Sequence, residues 1–150
     1  MIKRLNYLEI NSKSTDGLAA LSKHVTSIDN KLRALVELRV SQINGCAYCV
    51  NLHSDQARAE GETQQRLDCV AAWQECPFFD DNERAALAWA ESVTLLPDTG
   101  APDSEYERLR SHFSEQQTVD LTLIISFMNA WNRLAVSFRQ QPDKESSLTS

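Results

Sequence analysis

Glycine and proline are scarce, with four of each in 150 residues. No run of alternating β-branched residues bounded by turn signals occurs, so a sheet protein is excluded. No stretch approaches the roughly 20 apolar residues of a membrane span. The opening Met1-Ile2-Lys3-Arg4-Leu5-Asn6-Tyr7 is basic but lacks the apolar run of a signal peptide. The expectation is a cytosolic, cytoplasmic chain with no membrane partner. Positive charge is also short: 15 Lys and Arg face 21 Asp and Glu, a net charge of -6. That argues against nucleic-acid binding, which needs a clustered positive face. Cysteine is limited to four residues. In a reducing compartment these point to metal binding, redox chemistry or burial, not to a disulfide scaffold.

What remains is helical punctuation. Gly17, Gly45 and Gly61 and Pro77, Pro97 and Pro102 fall where helices start or stop, and Pro142 opens a polar tail. Between them apolar residues recur at three and four, as in Leu32, Leu35, Val36 and Val40. Asp80-Asp81-Asn82-Glu83 is an acidic first turn. This pattern predicts helices near 15–26, 30–42, 45–60, 62–74, 81–95, 103–112 and 115–139. The expected architecture is all-α, a bundle of six to seven helices in one domain spanning 1–150. Its core runs over 15–140, and a flexible tail covers 141–150, Ser-rich from 143 on. The last helix is apolar almost all round, from Val119 to Phe138. Such a helix is central in its own core or shared with a neighbour, so a homo-oligomer with this helix at the interface is expected.

The chemistry concentrates in Asn44-Gly45-Cys46-Ala47-Tyr48-Cys49-Val50-Asn51-Leu52-His53. Asn-Gly is a turn and cap signal, so a helix should begin near Cys46. At about 100° per residue, Cys46, Cys49 and His53 fall within roughly 60° of one another. Two thiols and a base then share one stripe. A helix N-terminus and a neighbouring imidazolium both favour a thiolate, the form that attacks peroxides and disulfides. A second cysteine at this spacing can close a disulfide on the oxidised first one, stopping oxidation at a reversible stage. Tyr48 lies about 100° round from Cys49. It either joins proton transfer from the flank or packs against a neighbouring helix.

The segment Leu32 to Cys49, with Ser41-Gln42-Ile43-Asn44-Gly45-Cys46-Ala47-Tyr48-Cys49 and then His53, resembles the core motif of the AhpD-like alkylhydroperoxidases. These belong to the carboxymuconolactone decarboxylase superfamily. Glu83-Arg84-Ala85-Ala86-Leu87-Ala88-Trp89 and Asn129-Ala130-Trp131-Asn132-Arg133-Leu134 share the resemblance, which spans roughly residues 18–140. It implies an AhpD-like helical bundle, trimers or hexamers, and reduction of hydrogen peroxide or alkyl hydroperoxides in antioxidant defence. It also implies roles: Cys49 as the attacking thiol, Cys46 as the resolving one, His53 as the base. A dithiol reductant of lipoyl or thioredoxin type would regenerate the pair. No cofactor and no metal is expected. The family's usual glutamate, twelve residues before the first cysteine, is Ala34 here. Glu37, one turn on, either substitutes for it or is a solvated surface charge.

Other readings stand beside this one. Cys46, Cys49 and His53 could hold zinc with Cys69, Cys76 or His112 as a fourth ligand, or the two cysteines could be inert and buried. The dithiol could serve as an oxidoreductase or redox sensor with little peroxidase activity, a reading favoured by Ala34. The chain could also be decarboxylase-like or a non-catalytic helical assembly protein, since fold alone does not dictate function. Cys69 and Cys76 read as ordinary packed thiols, and Trp73, Trp89 and Trp131 as core anchors. Arg133 needs a partner if buried.

Overall fold

A computed structural model describes residues 1–144. Among them are nine α-helices and one 3-10 helix. The α-helices are α1 (Tyr7–Ile10), α2 (Ser12–Ser22), α3 (Asn30–Ile43), α4 (Ala47–Ala59), α5 (Gln64–Cys69), α6 (Asp81–Thr94), α7 (Leu96–Thr99), α8 (Asp103–Arg110) and α9 (Glu115–Ser137). The 3-10 helix is Val70–Ala72. The all-α expectation holds, and each expected segment has its counterpart. Two one-turn helices, α1 and α7, were not foreseen. The expected helix over 62–74 splits after Cys69 into the 3-10 turn. Residues 141–144 carry no helix, and the rest of the expected flexible tail lies outside the described residues. No helix of the described residues is long and apolar enough to cross a membrane.

Helix starts follow their capping residues. Asp29 accepts from Leu32 N at the head of α3. Asp80 with Glu83 and Ser114 with Gln117 form reciprocal capping boxes on α6 and α9. Each satisfies donors that the first turn would otherwise leave unpaired.

The central helix is α3. It packs against α4, α6 and α9 and buries residues on every side: Leu32, Ala34, Leu35, Val36, Leu38 and Val40. One core cluster lies on its α9 side, with Val36, Val40, Trp89, Leu121, Ile124 and Ile125. A second lies on its other side, with Leu35, Leu38, Leu67, Val70, Trp73 and Leu87. Leu35 and Leu38 are fully enclosed, each contributing about 1.5–3 kcal/mol relative to an exposed position. The long apolar helix α9 is therefore not the enclosed one. It buries Leu121, Ile124, Ile125, Met128 and Ala135, and leaves Val119, Leu123 and Val136 exposed.

Arg133 needs no buried partner, and Asp120 has one. Arg133 is exposed and donates to the Asn129 carbonyl and Oδ1. Asp120 is buried and accepts from Ser27 N at 3.2 Å and from Ser27 Oγ at 2.7 Å, tying α9 to the loop before α3.

Candidate active site

The dithiol sits at the junction between α3 and α4, and that junction is a Schellman motif. Gly45 has φ +66, the left-handed conformation that glycine adopts at least cost. Gly45 N donates to the Gln42 carbonyl and Cys46 N to the Ser41 carbonyl. Cys46 thus closes α3 and at the same time caps α4, its Sγ lying 3.3 Å from Cys49 N. Two helices share one residue at their corner, which fixes the direction of α4 leaving α3.

The corner is clamped from α9. Asn44 Nδ2 donates to Asn129 Oδ1 at 3.0 Å and to Asn132 Oδ1 at 2.9 Å. The buried Asn132 donates in turn to Ser41 Oγ at 3.1 Å, and Ser41 Oγ donates to the Glu37 carbonyl. This polar network holds the loop carrying the dithiol against the core. Sequence reading noted Asn44 as a turn signal but missed the clamp, because its partners lie more than 80 positions away.

Cys46 and Cys49 are joined by a disulfide with Cα atoms 5.3 Å apart, inside the ordinary range for such a bond. Both are buried. They differ in what they face. A cavity of about 560 Å³ is lined by Cys49, His53, Glu37 and Tyr48, and Cys46 is not among its lining residues. The remaining walls include Tyr7, Leu8, Phe127, Met128, Trp131 and Gln140. Trp131 is half-buried and forms part of this wall, in addition to packing on the core. Tyr48 is likewise half-buried: it packs beside the dithiol and reaches the same cavity.

Glu37 is not a solvated surface charge. It is 9% exposed, with Oε2 3.3 Å from His53 Nδ1 and Oε1 2.9 Å from Arg33 Nε. Burial pushes its carboxyl up, but the hydrogen bond and charge of His53 and the Arg33 guanidinium outweigh this and hold it below the usual range. An ionised carboxylate only accepts, so it places the imidazole proton on Nδ1. Gln56 Oε1, 2.8 Å from the same nitrogen, supports that tautomer. Nε2 is then the nitrogen with a free lone pair. Ala34, where the related relay has its glutamate, is also buried and lines the cavity without offering a charge.

No cluster of three or more His, Cys, Asp or Glu arranged for a metal occurs among the described residues. His112, proposed as a fourth ligand from sequence, is exposed on the segment after α8.

The chain resembles known proteins over most of its length. It is 42% identical over 139 residues to the uncharacterized protein YdfG of Bacillus subtilis, covering 91% of this chain and 95% of that protein. A crystal structure from Agrobacterium tumefaciens superposes with a TM-score of 0.93 at 38% identity, covering 96% of this chain and 100% of that one. That protein, ATU0492, is described as one of unknown function and a candidate antioxidant defence protein AhpD. An uncharacterized peroxidase-related protein of Ralstonia eutropha, described as an alkylhydroperoxidase AhpD core, shares the fold with a TM-score of 0.81. Its identity is 22%, over 92% of this chain and 75% of that one. The family model for carboxymuconolactone decarboxylases matches residues 14–92. With its AhpD-like fold and its dithiol corner, the chain belongs to the carboxymuconolactone decarboxylase family.

Proposed function

We propose that the chain is a thiol-dependent peroxidase that reduces hydrogen peroxide or alkyl hydroperoxides through Cys46 and Cys49. The observation that carries this reading is the shared cavity. Cys49, His53 and Glu37 open onto one space large enough for an organic peroxide, while Cys46 stands behind Cys49 within bonding reach.

In the reduced protein His53 Nε2 takes the Cys49 proton, and Glu37 stabilises the imidazolium that forms. The Cys49 thiolate attacks one peroxide oxygen and breaks the O–O bond. The thiolate becomes a sulfenic acid, and the departing alkoxide or hydroxide takes the proton back from His53. Cys46 then attacks the Cys49 sulfur; its thiol proton passes to the departing sulfenic oxygen, which leaves as water, and the disulfide forms. An external dithiol of lipoyl or thioredoxin type restores both thiols by exchange. Tyr48, on the cavity wall, supplies a phenol to the same space.

The dithiol oxidoreductase reading drew its support from the missing carboxylate at Ala34. Glu37 beside His53 provides a carboxylate there, which favours the peroxidase. Assembly into a homo-oligomer is proposed with it: Val119, Leu123 and Val136 are exposed on α9 and suit burial against a second copy. A cytoplasmic setting completes the proposal, since the cycle needs a reducing partner.

The test is peroxide consumption by the reduced protein. Cys49→Ser abolishes it. Cys46→Ser consumes one equivalent and accumulates a sulfenic acid at Cys49 that dimedone traps. Equal single-round consumption by both variants would reject the assigned roles.

A further inference from the structure

A second pocket lies behind one wall of the Cys49 cavity. Its volume is about 350 Å³, and its apolar lining is Leu5, Tyr7, Ile10, Leu18, Leu134 and Phe138. Tyr7 lines both spaces, and among the described residues it is the only one that does. Leu8 lines the cavity while Leu5 and Ile10 line the pocket, so α1 and the residue two before it stand between them. This partition is slight. α1 has four residues and buries none of them. The Tyr7 ring is held by stacking on Phe138 and by one hydrogen bond to Gln140. The polar residues at the pocket turn to the backbone of α2: Asn11 Oδ1 accepts from Ser14 N, and Thr15 Oγ1 bonds the carbonyls of Asn11 and Ser12. No charged residue among the described ones lines the pocket. Leu5 and Ile10 are exposed beside it, which leaves apolar surface in water.

We infer that this pocket binds the tail of a linear alkyl hydroperoxide whose reacting head is at Cys49. Continuity with the cavity picks this occupant. A tail leaving the cavity displaces the Tyr7 ring at the cost of one hydrogen bond and then covers Leu5 and Ile10. A substrate that spans both spaces draws on about 560 Å³ and about 350 Å³, far more than hydrogen peroxide or a butyl hydroperoxide fills. The lining offers nothing to recognise a charged head, so an alkyl chain is the ligand it suits. The tail forms and breaks no bond; its burial away from the reacting oxygen selects among peroxides. Leu18 and Leu134 then set the preference for chain length. The head's place rests on the peroxidase reading, and the tail's place rests on the pocket.

The test compares butyl and decyl hydroperoxide on the full chain with a small dithiol as reductant. It also measures binding of unreactive decanol to the oxidised chain by calorimetry. Burying two tail methylenes is worth about tenfold, so kcat/KM for the decyl substrate should exceed that for the butyl one by about tenfold or more. Leu18→Trp, which fills the pocket, should lower that ratio about tenfold and weaken decanol binding to match. Leu18→Gln, which places an amide there without added bulk, should act in the same direction. A chain that reduces both substrates at equal kcat/KM, or decanol binding that is absent or indifferent to both Leu18 variants, overturns the inference and leaves the peroxidase reading standing. If neither peroxide is reduced, the peroxidase reading fails, and decanol binding lost in the Leu18 variants keeps the pocket as an alkyl-chain site. If Leu18→Trp changes the oligomeric mass and not the ratio, the pocket is a contact between copies and the inference falls.

Discussion

Oε2 of Glu37 on α3 lies 3.3 Å from Nδ1 of His53 on α4, so the base of the candidate site is held from a different helix. The contact depends on the packing of α3 against α4. It holds the imidazole through Nδ1 and leaves the lone pair on Nε2. Arg33 holds the other carboxylate oxygen and keeps Glu37 from swinging away.

Removing the base should slow the chemistry without destroying the dithiol. His53→Ala should lower the second-order rate of peroxide reduction about 10²–10⁴-fold. Glu37→Gln keeps an acceptor but loses the charge, and should lower it about tenfold. In the Cys46→Ser background, the pH midpoint of Cys49 alkylation should move upward in both. Superimposable alkylation profiles for all three proteins would remove His53 and Glu37 from the mechanism.

Acid stability should report the same carboxylate. The Glu37 pKa is lowered in the folded chain, so its contribution is present above the ordinary carboxylate range. It is lost as pH falls through that range toward the folded value. Urea midpoints should therefore fall further between about pH 5 and pH 3 in the wild type than in Glu37→Gln. Parallel pH curves would contradict the pairing.

Gly45 can be tested by backbone alone. A Cβ there meets no atom within 4 Å, but φ is +66. Gly45→Ala should cost about 1–2 kcal/mol in chemical denaturation, and Gly45→Asn less, since asparagine tolerates that conformation. An alanine variant as stable as wild type would mean the corner does not need the left-handed residue.

Asp120 offers a third handle on the fold. Asp120→Ala leaves the Ser27 amide and hydroxyl without their acceptor, and should cost about 1–3 kcal/mol. Asp120→Asn retains one acceptor oxygen and should cost less. Thermal melts of the pair decide this; equal losses would point to packing instead.

Much of this was legible in the chain because it is local. A helical period alone places Cys46, Cys49 and His53 on one stripe, and Asn44-Gly45 marks the corner. Glu37 could be placed on the correct helix but not beside His53, because the angle between α3 and α4 is set by core packing. The cavity walls were less legible still. Trp131 reads as a core residue by its period, and Tyr7 sits in a four-residue helix too short to nucleate alone. That helix is held by tertiary contacts: Tyr7 stacks on Phe138 with ring centroids 5.4 Å apart and donates to Gln140. The all-apolar look of α9 leads to an expected interface helix, with enclosure in its own core as the alternative; the helix enclosed in this chain is α3. Its Glu37 and Arg39 carry charges into half-buried pairs and mask its centrality in the pattern.

The seam between the two ends of the chain carries a consequence for topology. Arg4 N meets the Phe138 carbonyl at 3.0 Å and Arg4 Nη1 the Ser137 carbonyl at 2.9 Å. A brief linker from residue 140 to residue 4 could therefore join the two sides of this seam and keep Gln140. New termini opened at Gly100, on the exposed bend between α7 and α8, would give a circular permutant. In that rearranged chain Tyr7 and Gln140 would sit in mid-sequence, and their wall of the cavity would no longer be formed by the tails of the polypeptide.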